Sequence, residues 1–139
     1  MYSSTNYKFE VMKKPADNYI KGRVEAFKHA FNGIYILFTV EPNSKIQGVL
    51  AIMALLMGYF LRISSIEWII ICMVIGLVFT MEAINSAIEH LADFACGRNF
   101  EKSIKKTKDL SAAAVLFSAI TALIAGLIIF LPKLLNLLF

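Results

Sequence analysis

The stretch Leu110 to Pro132, LSAAAVLFSAITALIAGLIIFLP, decides the fold class: twenty-three consecutive residues carry no charge. At a rise of about 1.5 Å per residue, a helix of that length exceeds the roughly 30 Å hydrocarbon core of a bilayer. The composition agrees, with 58% of the 139 residues hydrophobic and 17% charged. A typical soluble domain carries about 25% charged residues. A chain this small has too much surface for so few charges to cover, which argues against a water-soluble globule and excludes intrinsic disorder. The reading is an all-α membrane protein.

Two further apolar stretches precede this one. Trp68 to Met81 is charge-free and opens a helix that continues through Glu82, Glu89 and Asp93. Ile46 to Leu61 is sixteen residues without a charge. It is shorter than the usual span of about 20 residues, but Lys45 and Arg62 at its ends can snorkel. Transmembrane helices are therefore expected over about 44–63, 66–96 and 107–135. The apolar tail Leu134 to Phe139 carries the last one past Pro132. Between residues 22 and 40, Val24, Phe27, Phe31, Ile34, Tyr35 and Phe38 recur at three- and four-residue steps, with Arg23, Glu25, Lys28, His29 and Asn32 between them. That pattern predicts an amphipathic surface helix lying in the membrane interface, ended by Glu41-Pro42-Asn43. Residues 1–21 are polar and aperiodic, a flexible N-terminus without a signal-peptide core. Residues 22–139 form one membrane domain.

Basic residues set the orientation. Lys8, Lys13, Lys14, Lys21, Arg23, Lys28 and Lys45 precede the first span, and Arg98, Lys102, Lys105, Lys106 and Lys108 lie between the second and third. Arg62 and Lys133 alone fall on the other side. This places the N-terminus in the cytoplasm and the C-terminus outside, with Trp68 as an anchor at the outer interface. The basic residues answer to topology, anionic lipid and phosphate, and no nucleic-acid partner is expected.

The chemistry concentrates in Met81 to Asp93. Glu82, Asn85, Ser86, Glu89 and Asp93 fall at i, i+3, i+4, i+7 and i+11, one stripe of a helix, while Ile84, Ala87, Ile88 and Leu91 occupy other faces. Glu82 lies fourteen residues after Trp68, about 21 Å along the helix and so within the inner leaflet. An ionised carboxylate there costs several kcal/mol unless it is paired, protonated or metal-bound, so such acids are functional candidates. Lys105, Lys106, Lys108 and Asp109 at the start of the third span, and Glu41 before the first, converge on the same membrane face. Carboxylates of this kind hold Mg²⁺ with nucleotide phosphates completing its shell, and lysines neutralise phosphate. No P-loop, dinucleotide-binding glycine motif or HExxH occurs. His29 and His90 are single interfacial side chains, and Cys72 and Cys96 are packing residues outside any metal motif. The residues alone leave a kinase and a proton or cation conduit equally open, with a protein whose acids merely pair helices as a third reading.

The sequence resembles the small bacterial integral-membrane lipid kinases, diacylglycerol kinase and undecaprenol kinase. The resemblance rests on Glu82-Ala-Ile-Asn85-Ser86-Ala-Ile-Glu89-His-Leu-Ala-Asp93, on Lys108-Asp109-Leu-Ser-Ala-Ala-Ala-Val115-Leu116, and on Ala30-Phe31-Asn32-Gly33-Ile34 followed by Glu41-x-Asn43-x-Lys45. It covers about residues 20–132. It implies three transmembrane helices and a surface helix assembled as a homotrimer in the bacterial cytoplasmic membrane. It also implies phosphorylation of the primary hydroxyl of diacylglycerol or undecaprenol with ATP as co-substrate and Mg²⁺ as cofactor. By motif, Glu82 looks like the general base that meets the lipid, Glu41 and Glu89 like metal and nucleotide carboxylates, and Asn85, Asp93, Lys108 and Asp109 like nucleotide or phosphate contacts. Arg23 is a weak match to a lipid-side basic residue of the surface helix. The loop from Asp93 to Lys108 departs from the pattern by one extra residue, with Asn99-Phe100 where a Tyr-His pair is common. Leu61-Arg-Ile-Ser-Ser-Ile-Glu67-Trp68 looks more like the undecaprenol branch.

Overall fold

In a computed structural model of the chain, residues 19–96 and 102–138 are described. The polar stretch through residue 18 and the loop around Arg98, Asn99 and Phe100 lie outside the described residues. The chain divides into two units, Met1–Ile34 and Tyr35–Phe139. Among the described residues there are four helices: α1, Tyr19–Val40; α2, Pro42–Phe60; α3, Ser65–Cys96; and α4, Lys102–Leu138.

The first unit is the larger part of α1, which starts at Tyr19, three residues before the periodicity predicts. Here Arg23 donates to the Tyr19 hydroxyl at 2.5 Å and lies 5.0 Å from the Tyr19 ring centroid. This contact four residues apart extends the helix upstream. Val24, Phe27 and Phe31 are exposed.

The second unit runs from the last turn and a half of α1 through α4. A single non-helical residue, Glu41, separates α1 from α2. Pro42 opens α2 and Glu41 is extended, with φ −84° and ψ 115°, as the residue before a proline must be. The far end of α2 closes with Ile63 N donating to Gly58 O at 3.1 Å and Arg62 N to Tyr59 O at 3.3 Å. That is the Schellman pattern, with Arg62 in the left-handed region at φ 49° where glycine is usual. The next helix starts two residues later with a capping box. Ser64 N donates to Glu67 Oε2 at 2.6 Å, and Glu67 N donates to Ser64 Oγ at 3.3 Å. These two motifs reverse the chain in four residues and lay α3 back along α2.

The inward face of α2 is small or polar at alternating steps of three and four: Ser44, Gln47, Ala51, Ala54 and Gly58. A Cβ on Gly58 would sit 2.9 Å from Ile63 Cδ1 and 3.0 Å from the Trp68 ring, so the helices approach closely there. The buried apolar cluster is Ile63, Ile71, Ile129 and Phe130, with Trp68 and Leu134 packed against it. Trp68 is half-buried against this cluster. At the same end Lys133 Nζ lies 3.2 Å from Glu67 Oε1. On α4 the inward face carries Ser111 and Ser118, whose hydroxyls bond back to Lys108 O and Val115 O, while Ala112 is exposed. Pro132 lies inside α4 and does not end it.

Two helices, α3 and α4, are long and apolar enough to cross a membrane, and only 22% and 17% of their most apolar windows are buried. Met73, Phe117, Leu123 and Ile128 are among the large side chains left exposed. A soluble monomer rarely presents apolar surface on that scale, which makes this an all-α membrane protein. The 19 residues of α2 amount to about 29 Å, but Asn43, Ser44, Lys45 and Gln47 make its first turns polar.

Candidate active site

The polar end of the second unit lies where α2 starts, α3 is in its second half and α4 has just begun. The stripe predicted on α3 turns inward: Glu82 is 1% exposed, Asn85 7% and Ser86 8%. Glu89 is half-buried and Asp93 exposed. Ile84, Ala87 and Leu91 face outward. The register of α3 therefore buries its acids in the order that helical geometry sets, deepest at Glu82 and open to water at Asp93.

Each acid of the stripe has a partner, and so does Glu41. Gln47 on α2 donates Nε2–H to Glu82 Oε2 at 3.0 Å. Asn85 donates Nδ2–H to Glu89 Oε1 at 3.0 Å, one turn along the same helix. His90 Nε2 lies 3.2 Å from Glu41 Oε1, joining α3 to the α1–α2 joint. Lys108 on α4 donates to Asp93 Oδ1 at 2.8 Å. Three helices and the joint are thus tied together by three side-chain contacts at one end of the unit, with the Asn85–Glu89 bond bracing α3 itself. Ser44 Oγ, Gln47 Oε1 and Asn85 Oδ1 are buried there with no hydrogen-bond partner among the described residues.

Local sequence explains several of these placements. Glu41 is the N-cap residue of α2, yet its side chain makes no cap hydrogen bond. Its carboxylate instead reaches His90 and stays only 19% exposed. The groups donating to Glu82 and Glu89 are neutral amides, which place the carboxylates by hydrogen bonds alone. The pairing of Lys108 with Asp93 is partly open to solvent, with side chains 35% and 68% exposed.

Of the residues expected in the site, Glu82, Asn85, Glu89, Glu41, Asp93 and Lys108 come together at this end. Asp109 is exposed, and among the described residues it makes no hydrogen bond or ion pair. Arg23 belongs to the first unit, where its partner is Tyr19. Sequence reasoning missed Gln47 and Ser44, and it read His90 as a lone interfacial side chain. The available signal was the Ser44, Gln47, Ala51 spacing, which marks an inward face of α2. No residue pattern reveals that Glu41 meets His90, 49 positions away.

The donor set suits a weakly chelated divalent ion. No group of three or more His, Cys, Asp or Glu side chains that could hold a metal occurs among the described residues. Mg²⁺ does not need one: it keeps most of its waters and binds through one or two carboxylates together with substrate phosphates. Glu41 and Glu89 each keep a second carboxylate oxygen outside the hydrogen bonds above.

Comparison with known proteins bears on what this end of the molecule does. A family model described as prokaryotic diacylglycerol kinase matches residues 28–130, a stretch that holds every candidate residue except Arg23. The undecaprenol kinase of Bacillus subtilis (strain 168) is 38% identical over 110 residues, covering 79% of this chain and 89% of that protein. The diacylglycerol kinase of a Synechocystis species is 30% identical over 112 residues, 81% of this chain and 64% of that protein. The diacylglycerol kinase of Escherichia coli (strain K12) is 26% identical over 106 residues, 76% of this chain and 86% of that protein. With its carboxylates, amides and lysine gathered at one end of a membrane-capable helical unit, the chain belongs to the prokaryotic diacylglycerol kinase family and is a lipid kinase.

Proposed function

We propose that the protein transfers the γ-phosphoryl group of Mg-ATP to the primary hydroxyl of a membrane lipid at the inner face of the bacterial cytoplasmic membrane. The observation that carries this reading is Glu82: 1% exposed, held by a neutral amide, and on one stripe with acids that become progressively more open to water. A base at that depth meets a hydroxyl arriving from the bilayer, while the exposed end of the stripe meets the nucleotide. Glu82 accepts the proton of the lipid hydroxyl as that oxygen attacks the γ-phosphorus. Glu41 and Glu89 would hold Mg²⁺, which when bound neutralises charge on the phosphates. Asn85 orients Glu89, and Lys108, Asp93 and Asp109 form the phosphate and nucleotide side. Phosphoryl transfer demands placement and charge stabilisation more than covalent chemistry, and these groups supply both.

The acceptor we favour is undecaprenol over diacylglycerol, on the 38% identity to the undecaprenol kinase and the Leu61–Trp68 turn. In this reading α2, α3 and α4 all cross the membrane, α1 lies in the cytoplasmic interface with Arg23 near the lipid, and three copies assemble. The exposure of Val24, Phe27 and Phe31 on α1 supports interfacial seating. The test is phosphorylation of each lipid in turn by purified protein, with Mg²⁺ and with a chelator. Undecaprenol should be phosphorylated faster, the chelator should abolish turnover, and Glu82→Gln should lose at least about 10²-fold in rate while keeping its oligomeric state. Wild-type turnover by Glu82→Gln would remove the base from this scheme.

A further inference from the structure

Among the described residues Glu82 has one side-chain partner, and it comes from another helix. Gln47 Nε2 donates to Glu82 Oε2 at 3.0 Å. The opposite end of the same amide, Oε1, is buried with no hydrogen-bond partner among the described residues. A buried acceptor left unpaired is costly and calls for a reason. Chemistry offers one. An ionised carboxylate presents only acceptors, whereas the acid formed when it takes a proton also has an O–H to donate. Lysine or arginine at position 47 could not accept the O–H of the protonated form, and an apolar residue would serve neither form. A primary amide offers a donor and an acceptor in nearly the same shape, and a half-turn about its terminal bond exchanges them.

We infer that Gln47 is a positioning residue of the kinase reaction, holding Glu82 in one orientation in both of its protonation states. This rests on the reading of Glu82 as the general base. Before transfer the Gln47 N–H bonds fix Oε2 and leave Oε1 of Glu82 for the lipid hydroxyl. In the transfer the lipid O–H bond breaks and its proton passes to Glu82. The lipid oxygen bonds to the γ-phosphorus, and the bond from that phosphorus to the β–γ bridging oxygen breaks, its electron pair leaving on ADP. The amide then turns, so that Gln47 Oε1 accepts the hydrogen bond of the protonated acid until the proton returns to water. Ser44 Oγ and Asn85 Oδ1, buried without partners among the described residues on the turns next to Gln47 and Glu82, are oxygens of the kind the turned N–H groups require.

The test uses the purified full chain in lipid, with thermal unfolding as the check on folding. Gln47→Met keeps the length of the side chain and removes both hydrogen-bonding ends. Its kcat should fall about 10-fold or more, with KM for ATP and for lipid unchanged. Gln47→Glu keeps the oxygens and removes the donors, and its kcat should fall at least as far. In a Glu82→Asp background, where the shortened carboxylate no longer reaches the amide, Gln47→Met should bring no further loss. Wild-type kcat in folded Gln47→Met or Gln47→Glu overturns the inference, and so do losses that multiply in the double variant. Wild-type turnover in Glu82→Gln overturns the reading of Glu82 instead, so the two failures are distinguishable.

Discussion

Asn85 shows how much a single amide accomplishes here. Its nitrogen donates to Glu89, while its oxygen is buried without a hydrogen-bond partner among the described residues. Asn85→Ala frees the Glu89 carboxylate to swing. If Glu89 helps to hold Mg-ATP, KM for ATP should rise about 10-fold and the Mg²⁺ concentration needed for half-maximal rate should rise with it, both read from initial-rate titrations. An unchanged KM would separate Asn85 from nucleotide binding. The stripe itself was legible in the sequence because helical periodicity alone puts residues 82, 85, 86, 89 and 93 on one face. The partners were not. Gln47 is 35 positions from Glu82, and which residues of α2 face which residues of α3 depends on the register of two helices, a tertiary property that neither helix encodes alone.

That register is fixed at the α2–α3 turn, the element with the most specific local chemistry in the chain. The Schellman stop, Gly58 to Ile63, runs directly into the capping box, Ser64 to Glu67, and neither motif was read from the sequence, where Leu61 to Trp68 served as a likeness to one branch of lipid kinases. In physical terms it is a stop signal followed by a start signal. Gly58 sets how close the two helices come. Replacing it with valine gains up to about 1 kcal/mol of helix preference but drives two methyl groups into Ile63 and the rigid Trp68 ring, and overpacking of that kind costs about 1–3 kcal/mol. Gly58→Val should therefore lower Tm by several degrees in a thermal-unfolding assay in detergent, and an unchanged Tm would mean the contact is slack. Helix bounds were less legible than helix existence. Hydropathy marks where a helix meets lipid, so it missed the charged first turn of α4, residues 102–106, whereas the apolar tail after Pro132 rightly carried the helix past the proline.

At the scale of the molecule the second unit has two ends of different character. One holds Ile63, Ile71, Ile129 and Phe130 with the Lys133–Glu67 pair, and the other holds the acids, amides and Lys108. If the polar end faces the cytoplasm, a cysteine at Lys102 in a Cys72→Ala, Cys96→Ala chain should react with a membrane-impermeant maleimide only in inverted vesicles, and one at Asn136 only in intact cells. Chemical cross-linking in the membrane should stop at three copies. Reversed labelling would turn the scheme over, and a ladder ending at two would exclude the trimer. The kinase chemistry became decidable only through comparison with relatives, since intramembrane acids serve conduits as readily as enzymes. What was visible without comparison was that acids, amides and lysines gather on one membrane face.

The hydroxyl of Ser44 has a further consequence. It is fully buried and has no hydrogen-bond partner among the described residues, a penalty of about 1–3 kcal/mol that alanine would not carry. Ser44→Ala should therefore raise Tm by a few degrees, measured in the same unfolding assay. A fall in Tm would show that the hydroxyl does find a partner. Heat resistance and turnover then pull this protein in opposite directions at one position, and a laboratory selection for survival at high temperature alone would be drawn to the catalytic end of the molecule and erode it first.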